Sequence, residues 1–360
     1  MILKPKNALL IVGVASILYI YGLPFQLIYI LLPVLFVLLL SIIVDTRLKK
    51  SIAIFFVFLI AYICISSFLQ IYLSAQPGSI INFAICWLSI FVGYYLSKNI
   101  NLVDMNYTIK RISWIAISYA LVDAIWRFAH PNYEQIFDGN PFFYRYKNNS
   151  LMFEDSNFVG LMLVCLNGIL FSTIKQFQEL DRKLALMIFI SVLLTFSRGS
   201  IFSVVFTYFL YFILNARLSL RVAMVIFIAV SSSTMFTLLY EDGSFRSKFF
   251  IIDLFDSYYQ RLDIMSKLLG VGLGNTANFL GIGAHNIFVV GAFELGLLGS
   301  FLYILCCIAL VFLAGQPMLY LIVPYFVNGF SLTSTSVPIL FLFMGVLLSL
   351  REKQDSNREV

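Results

Sequence analysis

The sequence predicts an all-α polytopic membrane protein, a single integral membrane domain over residues 1–360 with about 12 transmembrane helices. Hydrophobic residues make up 61% of the chain and charged residues 12%, roughly half the charge of an ordinary soluble domain. Mean hydropathy is +0.94. Apolar runs of helical length follow one another with only short polar breaks, so the chain is not a soluble domain with one anchor.

Taken in order, the runs place helices at roughly 8–22, 25–44, 51–72, 80–97, 112–129, 157–174, 184–197, 200–214, 222–239, 286–313, 318–333 and 337–350. The basic start MILKPK leads into the first run without an A-x-A-like site, so no cleavable signal peptide is expected. An even number of spans puts both termini on one side. Sixteen of the 24 Lys and Arg residues fall on that side, among them Lys4, Lys49, Lys110, Arg182, Arg217 and Arg351. Basic residues are retained in the cytoplasm, so the termini are expected there. The same bias accounts for the net charge of +6, and no nucleic-acid partner is implied. All five cysteines (Cys64, Cys86, Cys165, Cys306, Cys307) fall inside spans, so no disulfide is expected.

Most outer connections are short: Gly22 to Pro24, Ser74 to Ser79, and the turn around Ser334. Two are long, 130–156 and 240–284, and loops of that length in a compact protein are usually functional or disordered. Their aromatic and charged stretches FFYRYK and SYYQRLD fit either folded caps over the membrane or an interfacial aromatic belt. Neither an internal repeat nor a fused soluble domain is visible.

The stretch from Leu184 to Leu214 is read as a hairpin, because Lys175, Arg182 and Lys183 precede it and Arg217 and Arg221 follow it. Arms of about 14 residues, ~21 Å, are short for a hydrocarbon core of ~30 Å. The tip, Ser197-Arg198-Gly199-Ser200, is therefore recessed into the membrane. An arginine there either snorkels to the interface or meets an anion, and a guanidinium is well suited to phosphate oxygens.

His285, one of two histidines, stands where the second long loop meets a span. It is followed by Asn286, nine residues, then Gly296-x-x-Gly299. With His285 as the first helical residue, Ala292, Gly296 and Gly299 fall within about 40° of its direction and form a stripe for close helix approach. Glu294 falls about 180° away and roughly 14 Å deeper. A carboxylate there needs a partner, as does Asp123 in the fifth span, and neither partner is readable. His285 itself is either a cap-region histidine or a base at the membrane lip. The glycines of GVGLGN and GIG just before it permit tight turns at the surface.

The segments FEDSNFVG, FSRGS, DGSFRSK, GVGLGN and HN-x9-GLLG, in this order between Phe153 and Gly299, resemble the bacterial O-antigen polymerase (Wzy-type) and O-antigen ligase (WaaL-type) family. The resemblance implies a GT-C-like glycosyltransferase architecture with both long loops periplasmic. It implies an inner-membrane enzyme that acts on undecaprenyl-diphosphate-linked oligosaccharides as donor and acceptor, without metal, nucleotide sugar or other cofactor. Its arginines bind the diphosphate and the histidine of its HN motif is the base. By position these are Arg198 and His285, with the second arginine at Arg246 or, as second choice, Arg261. Asn157, Asn286, Glu294, Gly296 and Gly299 are the supporting positions of the matched segments. A chain-length regulator is a possible partner by the same resemblance.

The chemistry is consistent with that set. A sugar hydroxyl attacks an anomeric carbon whose leaving group is a lipid diphosphate. The leaving group needs its charge neutralised rather than a proton, and the hydroxyl needs a base titrating near neutral pH. Direct displacement inverts the anomeric configuration. The acidic pairs Glu154-Asp155 and Glu241-Asp242 read as helix caps rather than as cation ligands. A polymerase is favoured over a ligase that uses lipid A–core as acceptor. A polysaccharide transporter is the non-enzymatic alternative, and would depend on Glu294 rather than on His285.

Overall fold

The computed structural model describes residues 4–23, 26–43, 48–133, 142–153, 155–177, 180–222, 243–332 and 336–356. The fold is all-helical, with no strand among the described residues. Residues 223–239 of the expected span 222–239, Glu154, the Glu241-Asp242 pair and the turn at Ser334 lie outside them. The helices are α1 (Pro5–Ala15), α2 (Leu27–Ile43), α3 (Lys50–Tyr72), α4 (Pro77–Lys98), α5 (Leu102–Ala129), α6 (Ser156–Ser172), α7 (Ile174–Phe177), α8 (Arg182–Leu193) and α9 (Arg198–Asn215). After them come α10 (Gly243–Arg261), α11 (Ile264–Leu269), α12 (Thr276–Leu280), α13 (Ile287–Glu294), α14 (Gly296–Ala314), α15 (Gln316–Gly329) and α16 (Pro338–Ser356). Five of them, α3, α4, α5, α9 and α14, are long and apolar enough to cross a membrane. A one-turn 3-10 helix, Phe142–Tyr146, lies in the first long loop.

The centre is the pair α4–α16, whose backbones touch. A Cβ on Gly93 would meet the carbonyl oxygen of Leu342, and one on Gly345 would meet that of Ile90. Small residues at such a crossing suit apolar surroundings, where helices gain by close packing rather than by burial from water. Around the pair, Trp87 of α4 packs edge-on against Tyr62 of α3, Tyr303 of α14 and Phe341 of α16. Outward-facing Val57, Phe68 and Phe312 on α3 and α14 stay exposed, as expected of surfaces solvated by lipid. A second layer is built on α6, whose Gly168 lies against the backbone of Tyr320 and Leu321 in α15 and whose Gly160 lies against Ser197 and Ser200 of α9.

Helix α1 ends at Ala15, seven residues short of the expected 22, and three further boundaries differ from the hydropathy reading for reasons visible in the structure. Helix α5 begins ten residues early, because the Asn101 side chain accepts from the Asp104 backbone N–H at 2.8 Å and caps a polar first turn. Helix α16 likewise continues past 350 through charged residues, which a hydrophobic window cannot see as helix. The expected span 286–313 is broken at Leu295, since Gly296 takes φ +67° and the chain bends between α13 and α14. The stripe from His285 to Gly296 and Gly299 therefore does not form. Gly296 instead packs against the backbone of Leu268 and Gly270, and the Gly299 carbonyl accepts from the Tyr62 hydroxyl at 3.3 Å.

Candidate functional site

The sequence segments around residues 147, 198, 248 and 285 are brought together at one end of the bundle, where three helices begin and one ends. Helix α6 starts at Ser156, capped by Asp155, whose carboxylate accepts from the Asn157 backbone and side-chain nitrogens at 2.9 and 2.8 Å. Helix α9 starts at Arg198, capped by Ser197. Gly160 and Gly199 set the spacing: a Cβ on the first would strike Ser200, and one on the second would strike Ser331. Ser331 follows α15, and its carbonyl accepts from Lys248 Nζ of α10 at 3.1 Å. Helix α13 starts at Ile287, which lies against Gly329 of α15. Asn286 is its N-cap, accepting from Phe288 and Val289 backbone N–H groups at 2.9 and 3.2 Å. His285 is thus one residue outside the helix rather than its first residue, and is free of helical backbone constraint.

Four cationic or titratable groups share this end. Lys147 lies between the 3-10 turn and α6, with its carbonyl accepting from Ser156 N–H at 3.0 Å and its ammonium 5.4 Å from the Tyr144 ring centre. Burial lowers its pKa, Asp155 opposes this and Arg198 adds to the lowering. Lys248 is lowered by burial and then by Lys147, again against Asp155. His285 keeps an open edge to solvent, yet lost hydration is the first cause of a lowered pKa. Lys248 lowers it further, Asp155 raises it, and Lys147 lowers it again. Lys147 and Lys248 thus share one carboxylate, Asp155, beside a histidine shifted towards its neutral form, with Arg198 next to Lys147. The positive N-terminal ends of α9 and α13, capped by the neutral side chains of Ser197 and Asn286, add to the same field.

A buried device in α5 holds two edges of this cluster. Asp123 and Arg127, both fully buried, pair at 2.8 Å, which supplies the partner Asp123 required. The guanidinium also donates to the Tyr146 carbonyl at 2.6 Å and to the Leu194 carbonyl at 3.0 Å. Asp123 accepts from the Ser150 hydroxyl at 2.7 Å and the Leu151 N–H at 2.8 Å. One ion pair thereby pins the loop that carries Lys147 and the turn that leads to Arg198.

The sequence-predicted residues divide accordingly. Arg198 and His285 are in the cluster, as is the turn of Asn157. The Arg246 side chain lies outside the described residues. Arg261 is at the far end of α10 from Lys248, about 20 Å along the axis, and sits near Tyr258 instead. It is not part of the cluster. Glu294 faces a different space, where its Oε1 accepts from the Thr276 hydroxyl at 2.9 Å. Lys147, Asp155 and Lys248 escaped the sequence reading as site residues. Lys147 ends FFYRYK and Lys248 ends DGSFRSK, so both segments were visible. Residues two apart on a helix point about 200° apart, however, and the sequence does not say whether 246 or 248 faces inward.

No model of a known protein family matches the chain, and no curated protein matches it.

Proposed function

We propose that the chain is a membrane glycosyltransferase of the O-antigen polymerase type, with a GT-C-like architecture, about twelve spans and both termini cytoplasmic. It joins undecaprenyl-diphosphate-linked repeat units at the periplasmic face of the inner membrane. The observation that supports this best is the convergence of Lys147 and Lys248 on His285, with Arg198 beside Lys147, at two helix N-termini.

A compact anion of high charge is the ligand that relieves such a field, and the leaving group of lipid-linked glycan transfer is a diphosphate. In the reaction, the acceptor hydroxyl oxygen bonds to the anomeric carbon of the donor. The bond from that carbon to the diphosphate oxygen breaks, and the diphosphate departs with the electron pair. The hydroxyl proton passes to the imidazole of His285, which returns it to solvent. Arg198, Lys147 and Lys248 stabilise charge that grows on the leaving oxygen, so the protein needs no general acid. Lost hydration first, then Lys248 and Lys147 against Asp155, lower the pKa of His285 and so favour its basic form.

The test is turnover by purified protein in liposomes, given a defined undecaprenyl-diphosphate repeat unit and no added metal. A ladder of longer lipid-linked glycans that disappears in His285→Ala and Arg198→Ala is the expected result. Transfer only after lipid A–core is added makes the protein a ligase. Full activity in both variants overturns the assignment.

A further inference from the structure

Beside the cationic cluster lie two adjoining cavities that share Asn82 and Ser336 as a common wall. The first, about 270 Å³, is lined by Ser79, Asn82, Thr276, Ser336 and the carboxylate of Glu294, which is 8% exposed. The second, about 280 Å³, is walled by Tyr19, Tyr21, Tyr29, Phe153 and Phe158. Tyr19 and Phe153 stack in it with ring centres 4.5 Å apart. Joined, the two fall within the ~300–1,000 Å³ of small-molecule sites.

We propose that these cavities form a saccharide subsite that receives the acceptor sugar. This rests on the glycosyl-transfer reading above. Among the described residues neither cavity is lined by Lys or Arg, so neither suits the diphosphate. One supplies a carboxylate, an amide and three hydroxyls, which match a neutral ligand rich in hydroxyl donors. The other supplies flat aromatic faces for the apolar C–H surface of a sugar ring.

Both cavities border the cationic cluster. Ala284, the residue before His285, lines the first. Phe153 lines the second, and its carbonyl accepts from the Asp155 N–H at 2.8 Å. A sugar held there is next to the segment that carries His285. Its hydroxyl can give its proton to the imidazole while its oxygen attacks the anomeric carbon of the donor in line with the departing diphosphate. Glu294 is then a binding residue for the acceptor, anchored by Thr276 and aimed by the bend at Gly296.

The experiment measures binding by calorimetry, with the full chain in nanodiscs and two probes. One is the repeat-unit oligosaccharide of the source cell, cleaved from its lipid and free of phosphate; the other is undecaprenyl diphosphate without sugar. The oligosaccharide is expected to bind wild type, and Glu294→Gln and Asn82→Leu each to weaken it by about tenfold or more. Both variants should bind undecaprenyl diphosphate as wild type does, which also shows that they are folded. In turnover, both should raise the acceptor KM with kcat little changed. Oligosaccharide binding that is unchanged in Glu294→Gln and Asn82→Leu overturns the subsite. So does its absence in wild type that still binds the lipid diphosphate. If the oligosaccharide binds as expected but undecaprenyl diphosphate binds equally well to wild type and Arg198→Ala, the cationic cluster has been misread while the sugar subsite stands.

Discussion

At the scale of single residues, the proposed reaction depends on the shift of His285 towards its neutral form. Its pKa is lowered by desolvation and by Lys248 and Lys147, with Asp155 opposing. A base with a lowered pKa works down to a lower pH, so the acid limb of kcat/KM should lie below that of an ordinary histidine, ~6.5. Removing Lys248 withdraws one lowering influence. Lys248→Met should therefore move the acid limb to higher pH, and Asp155→Asn should move it lower. A pH–rate profile of each variant checks both signs, and a shift of both in the same direction contradicts the electrostatic account. If Arg198 acts on the leaving group as proposed, Arg198→Ala should lower kcat by about 10²-fold. Arg198→Lys should recover part of this, because charge survives while the bidentate geometry does not. Single-turnover rates separate that loss from weaker binding.

Among the elements, α5 decides whether the cluster exists at all. Arg127 bridges Asp123, the Tyr146 carbonyl and the Leu194 carbonyl, so the 3-10 turn and the α8–α9 connection are held relative to each other by one side chain. Breaking a buried pair by removing one partner typically costs about 3–5 kcal/mol, whereas replacing both with apolar residues costs much less. Arg127→Met and Asp123→Leu should each lower the thermal midpoint in detergent, and the double variant should lose less than the two losses together. Strict additivity in that cycle would show that the pair is not coupled. The α4–α16 crossing permits a similar comparison. Gly345→Ala drives a methyl into the Ile90 carbonyl and the Tyr94 nitrogen, while Gly78→Ala adds one where nothing lies within 4 Å. Thermal unfolding should show a marked loss for Gly345→Ala and little change for Gly78→Ala.

Over the whole molecule, the two ends treat charge differently. The end the sequence assigns to the cytoplasm is stitched by ion pairs between helix termini. Lys6 meets Asp104 at 3.1 Å, Lys49 meets Asp355 at 3.2 Å, Lys98 meets Glu352 at 3.3 Å and Lys110 meets Asp181 at 3.1 Å. These pairs are partly exposed and contribute little each, but they tie α1 to α5, α4 to α16 and α5 to the start of α8. The opposite end instead gathers Lys147, Arg198 and Lys248 around one acid. If the orientation is as the basic residues indicate, a cysteine at Ser266 in a cysteine-free background labels with a membrane-impermeant maleimide from outside. One at Ser219, between Arg217 and Arg221, should label only after permeabilisation; the reverse pattern would invert the topology.

The all-helical class and the run of apolar helices were legible in the sequence, as was the choice of 198 and 285 as positions to follow, both of which lie in the cluster at one end of the bundle. Each is a local property: hydropathy within a window, flanking charge, or a rare titratable residue at a span boundary. Helix ends were less legible where polar turns at Asn101 and beyond Leu350 continue a helix that hydropathy does not register. The break at Gly296 was hidden because a glycine in an apolar run reads equally well as a packing residue or a bend. Only its contact with Leu268 and Gly270 selects the bend. Lys147 and Lys248 became site residues only in three dimensions. They are 101 positions apart in sequence. What unites them is that Gly160, Gly199 and Gly329 let four helix ends meet at backbone distance, and that Arg127 fixes the loop between. The pairing of Asp123 with Arg127 follows i, i+4 spacing, but the two carbonyls that complete it come from elsewhere in the chain. The sequence by itself determined what kind of molecule this is and which rare side chains carry charge at its boundary. Tertiary packing alone decided which of those charges meet, because electrostatic coupling depends on distance through space and not on separation along the chain.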